Sequence, residues 1–536
     1  MKRRLALLLA AALLLLSGCA ALPEPDDLHE LEDERENYQP IPQPESEAPE
    51  EEAPVYPEAF ALPYHPNQTL DPVSCGEGVQ ETVASLLYEP LFTLDGTFQP
   101  QAVLCESLEW DEAGLICTLT LREGVTFSDG SSLTARDVAE TLQRARESER
   151  YAYRLRGVAA VAANRAGQVV ITLTAPNRGL ASLLDVPVVK WSTAGDPVPA
   201  GTGPYRLVSE SGGAFLQARE DWWRQKRVPV ETVKLVPAKD QETAAYLFSA
   251  RRVELLPVDP AGDASLTQGK AQSASRPTAV MQFIGFNAAE GRLFADAGLR
   301  SIFSRGIDRK TLVHAKLVDL ALEAQFPMSP LSPLYPKDLE RPYDKDAVTE
   351  ALRQAGQDTG ALRELTLLVC EGNAFRSASA RFIAGELSLL DWDIRVAELP
   401  WEEYLAALEA GEFDLYFGEV RLTADWDLTD LAGTEGALNY GGCASEAMDQ
   451  LLLDFAGAPD RAASARRLLT ALQASAPIAP VCFKNYAVLT HPGVVEGLDP
   501  APGNIFHEME NWTIHLKEPD PEPETTPEDE TSEAAS

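Results

Sequence analysis

The order of apolar and polar positions predicts a pair of strands early in the chain. Apolar side chains dominate residues 104–110 and 115–121, and a short polar turn at 111–114 separates the two runs. Two apolar runs around such a turn are typical of a β-hairpin. We therefore predict an antiparallel pair of strands at this point.

Helices alternate with strands further along the chain. Residues 401–410 carry apolar side chains at helical spacing, and the glycine that follows is typical of a helix end. The next residues, 413–417, have the apolar and aromatic character of a strand. Residues 242–250 and 253–256 repeat this order of helix and strand. The alternation predicts an α/β architecture, in which ligand crevices form at the carboxyl ends of strands and between lobes.

A cluster of hydroxyl and carboxylate residues at 126–138 raises the question of a ligand-binding loop. Asp129 and Gly130 suit a tight turn, because glycine accepts the positive φ that such a turn needs. Thr134 can cap the start of a helix while Asp137, three residues later, bonds back to it. Local structure explains the cluster, so we predict a strand, a turn and a capped helix here.

The N-terminus has the pattern of an export signal. Basic residues precede a 12-residue run of leucine and alanine, which is too short to span a bilayer as a mature helix. The run ends in Leu16-Ser-Gly-Cys19, which resembles the bacterial lipobox, a signal whose cysteine is alkylated with lipid before cleavage. We therefore predict an exported lipoprotein held on the cell membrane through Cys19, at the cell surface or in the periplasm.

Composition separates a folded body from its two ends. Residues 20–58 and 517–536 are rich in acidic residues and proline and lack an apolar period, so we expect both to be disordered. The chain carries a formal net charge of −38, which argues against a nucleic-acid partner. The body between the ends is too long for a single core and predicts two or three lobes.

The residues that carry chemistry form no catalytic or metal-binding motif in the sequence. The histidines are never four residues apart, and we find no P-loop, nucleophile elbow or dinucleotide fingerprint. We therefore predict a protein that is not an enzyme and uses no metal or cofactor. The body also holds six cysteines without CxxC spacing, for which we favour buried thiols while leaving pairing open, at positions 75, 105, 117, 370, 443 and 482.

A series of short motifs resembles the family 5 extracellular solute-binding proteins, the oligopeptide and dipeptide binders that feed ABC importers. The segment from Leu121 to Val138, LREGVTFSDGSSLTARDV, is similar to a hallmark of that family. Several short matches in one order are more specific than any single match. The other matches, in family order, include Tyr88-Glu-Pro-Leu91, Gly201-Thr-Gly-Pro-Tyr-Arg-Leu207, Asp221-Trp-Trp223, Gly285-Phe-Asn287, Ile307-Asp-Arg309 and Ala424-Asp-Trp426.

The resemblance implies an α/β fold of the periplasmic-binding-protein type II-like kind, with two main lobes, a hinge and an extra smaller lobe. Such a monomer closes on its solute and then docks onto the permease subunits. The implied division is a lipoprotein signal peptide at 1–19, a disordered acidic linker at 20–58, lobe I at 59–92 with 191–290 and 480–516, a small lobe II at 93–190, lobe III at 291–479, and a disordered acidic tail at 517–536.

The resemblance also implies candidate binding residues. If the ligand is a peptide, Asp425 occupies the family position that pairs with the α-ammonium group, and Trp426 would pack beside it. We expect an unliganded cleft to leave the Asp425 carboxylate in water. Structural roles stay open, because Asp425 can cap a turn at a strand end and Trp426 can pack within a lobe. Weaker candidates, carried over by their place in the motif order, are Ser74, Asn439, Asn485 and Tyr486.

The identity of the ligand stays open in the sequence. The stretch from 145 to 201 is shorter than in large oligopeptide binders, and Leu428 stands where the family usually has proline. One alternative on the same fold is a metal chelate, haem, or an oligosaccharide stacked on tryptophan. The other is an exported enzyme or a sensory lipoprotein without a transporter. The tryptophans considered for stacking are Trp191, Trp401 and Trp426.

Overall fold

The computed structural model describes residues 54–76, 78–259, 271–356, 363–388 and 392–518. The predicted signal peptide, Cys19 and most of the predicted acidic linker lie outside these residues, as does the predicted tail from residue 519 onward. The described part of the chain has no helix with both the length and the apolar character needed to cross a bilayer.

A four-stranded sheet is assembled from distant parts of the chain. Its first strand runs parallel to its neighbour, and the other two pairs are antiparallel. Side chains of helix α1 (Val79–Leu87) share a core with the sheet. The strands lie in the order β1 (Ala61–Tyr64), β10 (Thr232–Pro237), β9 (Gly213–Ala218) and β8 (Tyr205–Glu210).

Close backbone packing holds α1 in place. The amide of Gly203 donates a hydrogen bond to the carbonyl of Leu87 at 2.9 Å. A Cβ atom at Gly203 would lie 2.5 Å from the Leu87 carbonyl carbon, so only glycine fits there. Nearby, Trp223 donates from Nε1 to the buried carboxyl of Glu89 at 2.6 Å. These glycine and tryptophan motifs therefore position structural elements.

A second four-stranded sheet is antiparallel throughout. Its first two strands pair as Leu108 with Leu119 and Trp110 with Cys117, which confirms the predicted hairpin. Alternate side chains of these strands are buried beneath helix α2 (Ala135–Glu147). The strands lie in the order β4 (Cys105–Trp110), β5 (Ile116–Leu121), β7 (Val169–Leu173) and β6 (Val158–Ala163).

Helix α2 begins as the sequence predicts. Thr134 accepts a hydrogen bond from the Asp137 amide at 3.4 Å, and Asp137 accepts one from the Thr134 amide at 2.9 Å. Asp137 also accepts from the Trp191 amide at 3.0 Å. Gly130 has a φ of 83°, as the predicted turn requires. The hydroxyl and carboxylate cluster is thus explained by a turn and a helix cap.

A seven-stranded sheet forms the largest layer. Its middle strands are antiparallel, and β14 runs parallel to the strands on either side of it. A short strand, β13 (Ala321–Glu323), pairs with β17 off the main path. The remaining strands lie in the order β11 (Leu255–Val258), β17 (Ile478–Thr490), β12 (Gln272–Phe286), β16 (Leu415–Arg421), β14 (Arg363–Cys370) and β15 (Trp392–Leu399).

The two longest strands, β12 and β17, cross between separate cores. Near one end of β17, Leu489 packs in a core with Val236 of the four-stranded sheet. Near its other end, Ala479 packs in a different core with Phe286 and Phe417. Two long paired strands that join separate cores are the natural place for a hinge.

Helices and short strands complete the described fold. Helix α8 ends at Gly411, whose φ of 68° gives the left-handed cap that the sequence predicts. The short strands are β2 (Phe92–Leu94), β3 (Pro100–Ala102), β18 (Val495–Glu496) and β19 (Thr513–Ile514). The other helices are α3 (Gln241–Ser249), α4 (Ala297–Arg305), α5 (Arg309–Lys316), α6 (Lys345–Gly356), α7 (Ala374–Ser388), α8 (Trp401–Ala410), α9 (Thr429–Ala432), α10 (Glu446–Gly457) and α11 (Arg461–Ser475).

Candidate functional site

A central cavity of about 710 Å³ is lined by strands of the seven-stranded sheet and by residues that lie outside the two four-stranded sheets. This volume is in the range of small-molecule binding sites, which is about 300–1,000 Å³. Helix α1, the start of α3 and the crossing strands β12 and β17 all contribute to its wall. The aromatic side chains of the wall are Phe98, Tyr151, Tyr153 and Tyr486.

Several charged side chains of the central cavity are already paired. Arg150 donates to Glu81 of α1 at 2.5 Å, and Arg154 contacts Asp185 at 2.9 Å. Both guanidinium groups also lie over the ring of Tyr151. These contacts neutralise two of the arginines and fix them against the wall.

Lys484 on β17 shows the same pairing just behind the wall. Its side chain is only 3% exposed. The ammonium group lies 2.8 Å from a carboxylate oxygen of Asp259 and 3.7 Å from one of Glu419. This buried cation is therefore compensated by carboxylates within the chain.

Arg276 on β12 differs from these paired cations. Its guanidinium lies 5.3 Å from the ring centre of Tyr486, the residue directly opposite it on β17. Within the described ranges, no hydrogen bond or ion pair holds its side chain. Burial lowers the pKa of Arg276, and the nearby charge of Arg421 lowers it further, against the opposing effects of Glu81 and Tyr486. Arg276 is thus held by an aromatic ring, and the carboxylate that acts on it, Glu81, has Arg150 as its hydrogen-bond partner.

Arg421 is the last residue of β16 and also lines the central cavity. It pairs across the sheet with Val280, four residues beyond Arg276 on β12. Its side chain is exposed and, in the part of the chain that the structure describes, forms no ion pair. The cavity wall therefore presents two guanidinium groups on neighbouring strands that form no ion pair with a described residue.

The structure places Asp425 outside the central cavity. Only 5% of the residue is exposed, so the expectation of a carboxylate in water is wrong. Its carboxylate accepts a hydrogen bond from Asn177 at 2.8 Å, and Arg461 donates to its backbone carbonyl. Burial raises the pKa of Asp425, partly offset by hydrogen bonds from Thr423 and Asn177. Asp425 borders only a small separate cavity of about 80 Å³, and its role toward an α-ammonium group stays a prediction.

Trp426 lies inside a core. It is 1% exposed and packs edge to face against Phe98 at 5.1 Å and Phe483 at 6.1 Å. Its φ of 60° turns the chain sharply after Asp425. Through Phe98, which does line the central cavity, Trp426 supports the wall from behind. Contact between Trp426 and a ligand stays a prediction.

The weaker sequence candidates lie in different surroundings. Tyr486 lines the central cavity, whereas Asn485 is buried beside it in the same strand. Asn439 stabilises a turn, because its side chain donates to the Gly433 carbonyl at 3.2 Å. Ser74 is exposed in a turn whose neighbours Pro72 and Cys75 reach the wall. The structure thus brings Tyr486 to the cavity, and ligand contact by any of these residues stays a prediction.

Sequence reasoning did not identify the arginines of the cavity wall. Arg276 lies in a stretch of small and polar residues, and Arg421 follows an ordinary strand, so neither belongs to a motif. Only the pairing of β12 with β16 and β17 shows that the two share a wall. The chemistry of the wall suits binding, because paired ions, aromatic rings and unpaired cations recognise a solute without reacting with it. No group of three metal-ligating side chains occurs among the described residues.

The cysteines of the body are unpaired. All six are free, five of them are buried, and Cys443 is half-buried. This agrees with the sequence preference for buried thiols. Burial raises the pKa of Cys75, which borders the central cavity, to about 11, so its thiol stays protonated near neutral pH.

Comparisons with known proteins identify the family. Residues 99–434 match the family described as bacterial extracellular solute-binding proteins, family 5 Middle. The glutathione-binding protein GsiB of Salmonella typhi is 24% identical over 392 residues, which cover 68% of this chain and 76% of that protein.

Solved structures show the same fold. HbpA2 from Haemophilus parasuis has a TM-score of 0.72 at 18% identity, with 85% of this chain and all of that chain covered. The oligopeptide-binding protein AppA from Bacillus subtilis, in complex with a nonapeptide, has a TM-score of 0.58 at 20% identity, with 86% and 100% covered. These matches confirm the predicted α/β type II-like fold and the resemblance noted in the sequence. The chain belongs to the family 5 bacterial extracellular solute-binding proteins of ABC importers, which bind peptides or related solutes and are not enzymes.

Proposed function

We propose that the chain is a membrane-anchored, extracytoplasmic binding protein that captures peptides in the central cavity and delivers them to an ABC permease. The observation that carries the proposal is the cavity itself, about 710 Å³ in volume and lined by strands β11, β12, β16 and β17 of the seven-stranded sheet and by helix α1. Among similar proteins, one is named for binding glutathione, itself a peptide, and one was solved with a nonapeptide. A peptide is therefore the ligand class that the relatives favour.

The cavity wall suits an extended backbone. Residues 276–279 of β12 and residues 421–424, at and just after the end of β16, reach the cavity, so they can offer backbone groups and side chains to a strand-like ligand. The paired ions and tyrosines elsewhere leave room for ordered water around ligand side chains. A wall of this kind would accept peptides with many different side chains.

Capture would involve closure of the lobes about β12 and β17. Arg156 lies just before β6 of the second four-stranded sheet. Its side chain forms ion pairs with Asp427 and Asp430, which follow β16 of the seven-stranded sheet. Asn177 reaches Asp425 across the same boundary. In this proposal the lobes defined by the resemblance are the units that move. The contacts of Arg156 and Asn177 hold two of these lobes together when the cavity is closed.

Native mass spectrometry of the full mature protein, purified without denaturation from its own host, tests the ligand class. We expect carried masses that fragment as peptides. Calorimetry with free and N-acetylated di- to pentapeptides would then show whether an α-ammonium group is recognised. A carried metal chelate, haem or oligosaccharide, with no heat from any peptide, would contradict the proposal. Stacking of a sugar on tryptophan has no support in the cavity, because its described wall contains no tryptophan.

Membrane anchoring rests on Cys19, which lies outside the described residues. The test is Cys19→Ser in the full chain, followed by separation of membranes from soluble material. We expect the variant to be released or to remain unprocessed. Retention equal to the unmodified protein would show that the anchor is not this cysteine, and would leave the binding function untouched.

A further inference from the structure

The charges around the central cavity do not compensate one another evenly. Arg150 and Arg154 have carboxylate partners, and Lys484 has two. Arg276 and Arg421 line the same wall without an anion of their own among the described residues. In a chain with a formal net charge of −38, carboxylates are abundant, yet none pairs with these two guanidinium groups.

We propose that Arg276 and Arg421 form a subsite for a carboxylate of the bound ligand. The inference rests on the proposed function, since it takes the central cavity as the binding site. A guanidinium offers two parallel N–H donors that match the two oxygens of a carboxylate. Two such groups on adjacent strands can bind one carboxylate from both sides.

The surroundings of Arg276 prepare it for an anion. Its guanidinium faces the Tyr486 ring, which limits its rotamers without using its donors on a carboxylate. Burial disfavours the charged form and lowers the pKa of Arg276; the charge of Glu81 opposes this effect, and that of Arg421 adds to it. A ligand carboxylate removes this penalty when it binds, so part of the binding free energy comes from relief of an unfavourable charge.

Long-range repulsion by the acidic chain does not prevent this. At physiological ionic strength, exposed charges more than about 8 Å apart are largely screened, so distant surface carboxylates contribute little inside the cavity. Glu242 is the acidic wall residue without a hydrogen-bond or ion-pair partner among the described residues, and it is exposed at the start of α3. The carboxylate can belong to the C-terminus of a peptide or to an acidic side chain.

Four peptides separate these sources in calorimetry on the full mature protein: Ala-Glu-Ala, Ala-Gln-Ala, and the C-terminal amide of each. We expect loss of the recognised carboxylate to weaken binding to the unmodified protein by roughly ten- to a hundred-fold. In Arg276→Gln and in Arg421→Gln, the same change in the peptide should alter affinity by no more than about two-fold. Sensitivity to amidation identifies the C-terminus, and sensitivity to glutamine identifies the side chain.

The control is Arg395→Gln, which removes the same charge from an exposed ion pair with Glu364 on the outside of the seven-stranded sheet. It should keep the full preference for the carboxylate. Arg276→Lys retains charge but loses the planar fork, so it should recover only part of the preference. If Arg276→Gln does not fold, the exposed Arg421 carries the test.

The outcomes separate this inference from the proposed function. Equal affinity for all four peptides, or a carboxylate preference kept by both arginine variants, would overturn the subsite and leave peptide capture standing. If no peptide binds at all, succinate becomes the probe in a thermal-shift titration. Stabilisation of the unmodified protein that both variants lose would support the subsite, and equal shifts in all three would overturn it.

Discussion

Two charged regions near the end of β16 are built in opposite ways. In one region, Asp425 is buried, accepts a hydrogen bond from Asn177 and lies near Arg461. In the other region, Arg276 and Arg421 face a large cavity and form no ion pair with a described residue. The difference teaches that the family position of a charge does not by itself show where a ligand binds. A charge with hydrogen-bond partners stabilises the fold, whereas a charge that faces a cavity without an ion-pair partner is a candidate for ligand binding.

The largest expected effect comes from removing the partnered charge. Asp425→Ala leaves the Asn177 amide without its acceptor and Arg461 without its nearest opposing charge. We expect the free energy of unfolding to fall by about 2–4 kcal/mol, as measured by denaturant titration. The matched control, Asp393→Ala on an exposed strand position, should change it by less than about 0.5 kcal/mol. Equal effects would mean that Asp425 is not a structural residue.

A smaller effect is expected where the partnered region meets solvent. Arg156→Ala removes ion pairs with Asp427 and Asp430, but the arginine side chain is 39% exposed. The free energy of unfolding should fall by about 1 kcal/mol, because water and salt screen such contacts. Arg353→Ala, which removes an exposed ion pair with Glu350 within one helix, provides the comparison and should cost less.

The same ion pairs predict a pH dependence. Burial alone would raise the pKa of Asp427, but hydrogen bonds from Thr429 and Arg156 lower it below its ordinary value. A lowered pKa contributes stability above the ordinary carboxyl pKa of about 3.9, and this contribution is lost as the pH falls through the folded-state value. The difference in melting temperature between the unmodified protein and Arg156→Ala should therefore be constant from pH 7 to about 5 and narrow below about pH 4. A gap that widens in acid would contradict this assignment.

The smallest effect on folding is expected for the unpartnered charge. Arg276→Gln removes a half-buried cation that repels Arg421, and the carboxylate that acts on Arg276, Glu81, keeps its partner Arg150. Without ligand, the free energy of unfolding of the variant should therefore lie within about 0.5 kcal/mol of that of the unmodified protein, or slightly above it. Denaturant titration in the absence of peptide measures this. A loss as large as that of Asp425→Ala would place Arg276 among the structural charges and remove the contrast between the two regions.

Local patterns in the sequence predict the local structure well. The β4–β5 hairpin, the Thr134 cap and the helix that ends at Gly411 depend on residues close together in the chain, and each is confirmed. Predicted ends differ only slightly: the strand expected at 413–417 is observed at Leu415–Arg421. The motif order also leads to the correct family and fold.

The cavity wall is beyond such patterns. Arg276, Arg421 and Tyr486 come together because β12 pairs with β16 and β17, strands far apart in the sequence. Nothing in the residues around Arg276 shows that its side chain meets a cavity. Asp425, in contrast, is easily found by its motif, but the motif does not show that Asn177 and Arg461 surround it.

The free thiols have a consequence for how the protein matures. Because the six cysteines of the described body remain unpaired, folding needs no oxidant and no isomerase, and it is spared the seconds to hours that disulfide exchange takes. Burial raises the pKa values of Cys117 and Cys482 to about 12, so both stay protonated and slow to react with oxidants. An exported chain built this way reaches the same folded state in oxygenated and in reducing surroundings, so the redox conditions of a habitat do not decide whether it can work.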